Sequence, residues 1–503
     1  MCQGSSAFLF YDIFEAYQYQ SENIMNPKKV PRILSVLILG VLVLTTLIFP
    51  QRLNAAEGSV SAQSFVSDTD FLPHNDGRRA DFFDVKPTDW FYSDVMRLAD
   101  ADILNGYYDG GFYPERRVTT AEFIKLVVAG VLDVDRFNVD DVLFEGHWAS
   151  KYIGLAYKLG FITDEDLENG LSPDDPIKRG DTAKFAARAL GIYVDGSTEN
   201  PFLDHADRYA ISAFREYLVR GYPAENGARL FKGDSYVCRS EAAAIVARVI
   251  DYANDPYAYK RDAILKNAAE FPLKYEWELT DLFYVLNREL VTDFTFTTPY
   301  SYSEWSGIYH RANIMYLEYF YSSYLNCSYK RNSNVYSLVL EYETDTETLR
   351  SYHNEVEEKA SKIVDNIING EMDDTEKIKA IHDYIVLNCK YDYDNYVNGN
   401  VSIESRLAYG VICRRTAVCQ GYSAAFNMLA RRAGIRAEIV TGTAPGNADV
   451  HAWNMVTIDG NVYHIDATHD DPVPDRQGYV SYKYFMRTDR EMAELGYVWE
   501  QPD

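Results

Sequence analysis

An internal repeat limits what this chain can fold into more than any other feature. Between about residues 80 and 252 one pattern recurs, with Glu122, Asp181 and Glu241 at equivalent places 59 and 60 residues apart. Each unit has an acidic lead-in, an amphipathic stretch of helical spacing, a loop rich in Gly, Asp and Pro, and a second helical stretch. The turns that open the second helices are Thr119-Thr120-Ala121-Glu122, Lys178-Arg179-Gly180-Asp181 and Cys238-Arg239-Ser240-Glu241. Such turns cap helices whatever else they do, Glu122 by reaching back to the start of its helix. Two short helices cannot bury their apolar stripes alone, so several units must pack together. The pattern predicts repeats at 80–132, 136–192 and 198–252.

A second stretch, Tyr409 to Asp471, has the makings of a reactive site. Cys419 stands just before a helical pattern with apolar Ala425, Phe426, Met428 and Leu429, basic Arg431 and Arg432 in its last turn, and Gly434 as its stop. A cysteine at a helix N-terminus meets the positive end of the macrodipole, which favours thiolate over thiol. Downstream, two apolar runs flank Asp459-Gly460, a hairpin signal. A tight turn there sets His451 opposite Thr468, with Asp466 as the diagonal neighbour on the same face. A lone cysteine is most often a small core residue, and a His–Asp pair can be purely structural. The conjunction of a cysteine at a helix start with a hairpin carrying both partners points to a thiol nucleophile, a base and its orienting group. His451, His464, His469 and Asp470 are also metal-ligand types, yet histidine spacings of 13 and 5 match no familiar zinc pattern. No metal or other cofactor is expected.

The strings Val418-Cys419-Gln420-Gly421-Tyr422-Ser423, His451-Ala452-Trp453-Asn454 and His464-Ile465-Asp466-Ala467-Thr468 resemble the three core motifs of the bacterial transglutaminase-like superfamily. The likeness runs from Thr375 to Met486, about a quarter of the chain. It implies an α+β papain-like domain with a catalytic triad of Cys419, His451 and Asp466. The repeats, in turn, resemble S-layer homology repeats, which implies an all-α, three-pronged module that binds secondary cell-wall polysaccharide. That family's turn is typically Thr-Arg-Ala-Glu, whose arginine would pair bidentately with a carboxylate on an acidic glycan. Only Arg179 and Arg239 keep it. Thr120 cannot replace it, and the third unit lacks a counterpart to Trp90 and Trp148, so at most two working grooves are expected.

The remaining sequence sets the context. Of the 503 residues, 1–56 read as a signal-peptide region: Lys28, Lys29 and Arg32 precede an apolar run to about Pro50, and Ala55 and Ala56 follow. A retained membrane anchor is the other reading of that run, and Met25 makes a better start for a signal than Met1. Export to the bacterial cell wall is expected, with membrane contact only through this segment. A net charge of −26 argues against nucleic acid as a partner. Six cysteines are too few for a disulfide scaffold in a chain of this length.

Residues 253–340 read as a connecting region, with helical spacing from Asp262 to Leu290 and then a Tyr-rich tract (300–329) that suits packed strands. Residues 341–503 form the transglutaminase-like domain, with a strand at Val335–Glu343 leading into it and helices at Thr346–Ile368 and Thr375–Leu387. The functional expectation is a wall-anchored enzyme that forms a thioester at Cys419 on a protein or peptide, peptidoglycan peptides included. It would be a peptidase or amidase if water resolves the thioester, and a cross-linking enzyme if an amine does. The alternative is a non-catalytic wall-associated binding or structural module that kept the fold.

Overall fold

The structure, a computed structural model, describes residues 81–134, 137, 143–192, 194, 199–225, 229–316, 318, 322–329, 333–445 and 450–499. Met25 and the apolar run before Pro50 lie outside the described residues. Among the described residues no helix is long and apolar enough to cross a membrane. They form two compact units that divide between Lys266 and Asn267, inside the segment expected to be a connector.

The first unit contains helices α1 (Tyr92–Asp100), α2 (Thr120–Val131), α3 (Ser150–Lys158), α4 (Asp164–Glu168), α5 (Arg179–Ala189), α6 (Arg208–Arg215), α7 (Arg239–Asn254) and most of α8 (Pro256–Glu270). It is not purely helical, because a small antiparallel ribbon joins β1 (Tyr222–Pro223) to β2 (Arg229–Leu230). The three turns ahead of α2, α5 and α7 meet at its centre. Val118 N–H donates to Val237 O at 3.0 Å, Val237 to Ile177 O at 3.1 Å, and Ile177 to Val118 O at 2.9 Å, closing a ring of backbone hydrogen bonds. All three side chains are buried, so these amides have no water to bond instead, and the ring supplies the partners that burial demands. A second tier repeats the pattern two positions from each corner: Thr120 donates to Asp175 O, Arg179 to Ser235 O and Arg239 to Arg116 O. The Asp84 carboxylate accepts from the amides of Phe112 and Tyr113, and Asp204 accepts likewise from Phe231 and Lys232. Thr119 and Glu122 form a reciprocal capping box at the start of α2.

The second unit contains α9 (Glu276–Arg288), β3 (Asp293–Thr297), α10 (Tyr302–Met315), β4 (Ser322–Tyr329), β5 (Val335–Tyr342), α11 (Thr346–Ile367) and α12 (Asp374–Asn388). There follow β6 (Lys390–Tyr391), α13 (Tyr393–Val397), α14 (Ile403–Arg406), a π-turn at Gly410–Arg414, β7 (Thr416–Ala417) and α15 (Cys419–Arg432). The chain ends in β8 (Arg436–Thr443), β9 (Val450–Ile458), β10 (Asn461–Ile465), α16 (Ala467–Asp470), α17 (Asp489–Glu494) and β11 (Val498–Trp499). Strands run antiparallel in the order β10-β9-β8-β11, and β3-β5-β4 make a separate antiparallel sheet.

The Tyr-rich tract departs from the expected strands. Residues 302–315 are helical, because Ser301 and Glu304 form a capping box and Trp305, Ile308, Tyr309 and Ala312 bury one helical stripe. Among the described residues of the tract, only those from Ser322 onward form a strand. The tract serves packing: Phe283, Phe296, Trp305 and Tyr336 form an aromatic core, and Met315 O accepts from Arg431 of α15. Helix α15 is the axis of the unit, with every residue from Gly421 to Ala430 buried. Gly421 is required there: a Cβ would lie 2.6 Å from Ser405 O and 2.9 Å from Leu407 O.

Candidate active site

Cys419 is the first residue of α15, half-buried, and Val418 N–H bonds Ser405 O at 2.9 Å to fix the helix start. The β9–β10 hairpin turns on Asp459 and Gly460, at φ 51° and 76°, the left-handed pair that a two-residue turn of this kind needs. The register is the expected one, with Ile458 opposite Asn461 and Asn454 opposite Ile465. The strand stops one residue short of Asp466, however. Asp466 caps α16 by accepting the His469 amide at 3.0 Å, so Thr468 lies in that helical turn and not opposite His451. His451 pairs across β8 with Gly442 instead. The change brings Asp466 closer than a diagonal contact: its Oδ2 lies 2.7 Å from His451 Nε2.

The carboxylate and the imidazole are 0 % and 3 % exposed, so their charges answer to each other and hardly to water. An ionised carboxylate only accepts; His451 Nε2–H and Tyr497 OH both donate to Asp466 Oδ2, each at 2.7 Å. With Nε2 so engaged, Nδ1 is the nitrogen left to serve Cys419, which is among the groups that raise the imidazole. Burial opposes the charged imidazole, but Asp466 and Cys419 outweigh it and push His451 up to about 10. For Asp466, burial alone would raise the carboxyl; His451 above all, with His469 and Tyr497, holds it well below the usual carboxylate range. Asn454 Nδ2 donates to Ser423 O at 3.0 Å and so pins β9 to the helix that carries Cys419.

The other titratable groups nearby have their own partners. His464 accepts from Trp453 Nε1 at 2.9 Å and bonds Asp489 Oδ1 at 2.9 Å. Asp470 accepts from Ser481 Oγ at 2.8 Å and from the Tyr484 amide, and lies 3.3 Å from buried His382 Nε2. The ligand-type atoms of His451, Asp466 and His469 do fall within 4.8 Å of one another. Yet the two imidazoles stack at 4.4 Å between centroids and 13° between planes. Rings in nearly parallel planes cannot both aim an in-plane lone pair at one ion about 2.1 Å from each.

Sequence reasoning missed Tyr497. It sits outside every motif and reaches Asp466 only because β11 pairs with β8. Asp471, bonded by Tyr422 OH and pushed up to about 7 by burial, was likewise unmarked. Among the described residues the five cysteines, Cys238, Cys327, Cys389, Cys413 and Cys419, are all free thiols.

The two arginines expected to meet glycan lie differently. Arg179, its side chain 13 % exposed, bonds Glu241 and Tyr222 OH and stacks on the Tyr222 ring. Arg239 is 7 % exposed, donates to Phe112 O and Asn105 O at 2.8 Å each, and lies over the rings of Tyr107 and Phe112. The structure places it inside the unit rather than at its rim.

Replacing Asp466 with Asn removes the larger of the two groups that oppose burial at His451, leaving Cys419. Its imidazole should then titrate well below the parent's value of about 10, and stability should fall by about 3 kcal/mol. Ring-nitrogen NMR and urea unfolding read the two effects, and a His451 midpoint that stays near 10 would contradict the pairing. In the parent, the stabilisation is complete below ~6.5, where the unfolded histidine is also charged, and is lost as pH rises through about 10.

Comparison with known proteins separates the two units. Residues 361–467 match the model of the transglutaminase-like superfamily, and 81–124 and 144–183 match that of the S-layer homology domain. Exoglucanase XynX of Acetivibrio thermocellus is 27 % identical over 188 residues, which cover 35 % of this chain and 16 % of that protein. The cellulosome-anchoring protein of the same organism is 26 % identical over 151 residues, 28 % of this chain and 30 % of its own length. The chain thus spans less than a third of these curated relatives. A solved structure described as a TGase matches at a TM-score of 0.21 and 18 % identity, covering 32 % of this chain and 48 % of that one. This is a multidomain chain that carries an S-layer homology domain and a transglutaminase-like domain.

Proposed function

We propose that this chain is a bacterial cell-surface protein that holds secondary cell-wall polysaccharide through three S-layer homology repeats and performs acyl transfer at Cys419. One observation carries the catalytic half: buried Asp466 holds His451 Nε2 at 2.7 Å, which turns the other ring nitrogen over to a thiol, and Cys419 is among the groups that raise the imidazole. This is the arrangement in which a buried carboxylate orients an imidazole that exchanges a proton with a thiol.

The Cys419 thiolate attacks the carbon of a carboxamide or peptide bond and forms a C–S bond. The first-turn N–H groups of α15 steady the oxyanion. The C–N bond breaks as His451 hands its proton to the departing amine, leaving a thioester. His451 then takes a proton from water or from a second amine, which attacks the thioester carbon and frees the thiolate. Water gives a peptidase or amidase; an amine gives a cross-link. A surface address makes peptidoglycan peptides and neighbouring surface proteins the substrate class.

For the anchoring half, the third turn, at Cys238–Glu241, takes an equal part in the central ring with those of the two matched segments. That supports reading 198–252 as a third repeat. Of the two arginines, Arg179 is the candidate to meet an acidic glycan, since its side chain keeps 13 % exposure beside Glu241 whereas Arg239 is buried and would support its turn from within. The relatives named as a cellulosome-anchoring protein and a cell surface glycoprotein support attachment at the surface.

Incubation with carboxamide peptides, with and without a primary amine, tests the chemistry. Intact-mass measurement should find an acyl group on the parent and none on Cys419→Ala. Substrates that leave the parent unmodified throughout would instead favour a recognition module. Retention on isolated walls tests the anchor. Arg179→Ala should lower it about tenfold, the effect of losing roughly one charged hydrogen bond, and retention equal to the parent on walls stripped of polysaccharide would refute glycan binding.

A further inference from the structure

His469 belongs to no step of that mechanism, yet it is built into the same cluster. Its ring lies flat on His451 at 4.4 Å and 13°. Its Nδ1 is 2.6 Å from Tyr497 OH and 3.2 Å from Asp466 Oδ2, the same oxygen that accepts from His451. The protons can be assigned. Tyr497 has one, and the charged carboxylate at 2.7 Å is its stronger acceptor. Tyr497 therefore accepts from His469, whose Nδ1 must carry hydrogen. The neutral ring is then an Nδ1–H tautomer with its lone pair on Nε2, at the edge of a side chain that is 28 % exposed. The charged and titratable groups facing it are Asp466 and Asp470 on its own turn, His451 on β9, and Lys483, Tyr484 and Tyr497 from the segments after α16.

We propose that His469 is a positioning residue for His451: while neutral it holds the imidazole flat and in line with Asp466, and on taking a proton it competes for that carboxylate and loosens the alignment. A neutral ring presents an aromatic face to the His451 imidazolium. A protonated one sets a second cation 4.4 Å away, with one carboxylate between them. Burial, reinforced by His451 and opposed by Asp466, keeps His469 below the ordinary histidine value, so the stack is intact at neutral pH and opens only in acid. The inference rests on the Cys–His–Asp reading of the site, but its test does not depend on turnover.

Ring-nitrogen NMR of the full chain across pH 4 to 11 reads the coupling. The His451 signal should show its own titration and a second inflection at the His469 midpoint, below 6.5. His469→Phe, which keeps an aromatic face without a titrating group, should abolish the second inflection. His469→Gln, which keeps polarity without the stack, should broaden the His451 signal at neutral pH as the ring loses its fixed plane. A His451 signal with no acid inflection in the parent, or with the inflection intact in His469→Phe, overturns the proposal. An unreactive Cys419 alongside an intact inflection would count against acyl transfer and leave the His469 coupling standing.

Discussion

A charge buried at the foot of a hairpin organises the second unit. Asp466 is fully enclosed, and an enclosed carboxylate with a partner missing costs on the order of 3–5 kcal/mol. The fold meets that demand with donors from separate parts of the chain: His451 from β9, the His469 amide from α16, and Tyr497 from the turn that leads into β11. Displacing any one of these segments would take a donor from the buried carboxylate. The order β10-β9-β8-β11 follows from the same need, since Tyr497 arrives only when the last strand closes on β8. Helix α15, buried along most of its length, then has one surface left near the pair, its first turn, and Cys419 stands there.

The first unit solves a different problem. Short helices with narrow apolar stripes need neighbours, and the ring through Val118, Ile177 and Val237 ties three turns together by backbone alone. Because the ring uses main-chain groups, the side chains of these turns are free to diverge. Thr120, Arg179 and Arg239 occupy matching places with different roles: Thr120 Oγ1 bonds Asp175 O, Arg179 faces Glu241, and Arg239 is buried against aromatic rings. Equivalence of backbone thus coexists with inequality of the surface that would meet a glycan.

How much of this was legible depended on the range of the contacts. The helix start at Cys419 and the turn at Asp459-Gly460 are local, and the hairpin register followed from them. The strand's early end was not legible, because it depends on Asp466 preferring the α16 amide at its own side chain over a further ladder bond. The tyrosines between Tyr300 and Tyr329 masked a helical stripe of Trp305, Ile308, Tyr309 and Ala312; aromatic richness favours strands on average, and here the capping pair Ser301 and Glu304 decided otherwise. Tyr497 and the burial of Arg239 are products of tertiary closure, on which no short motif bears.

The central claim is that Cys419 and His451 act as one unit. It is tested most directly by the rate at which a neutral alkylating reagent modifies Cys419 at pH 7, measured by peptide mass mapping in the parent and in His451→Ala. The account predicts a fall of about tenfold or more when the imidazole is removed, with Cys389, which is buried and pushed up to about 12, unmodified in both. Equal rates at Cys419 in the two proteins would mean that the imidazole does nothing for the thiol, and the acyl-transfer reading would fail.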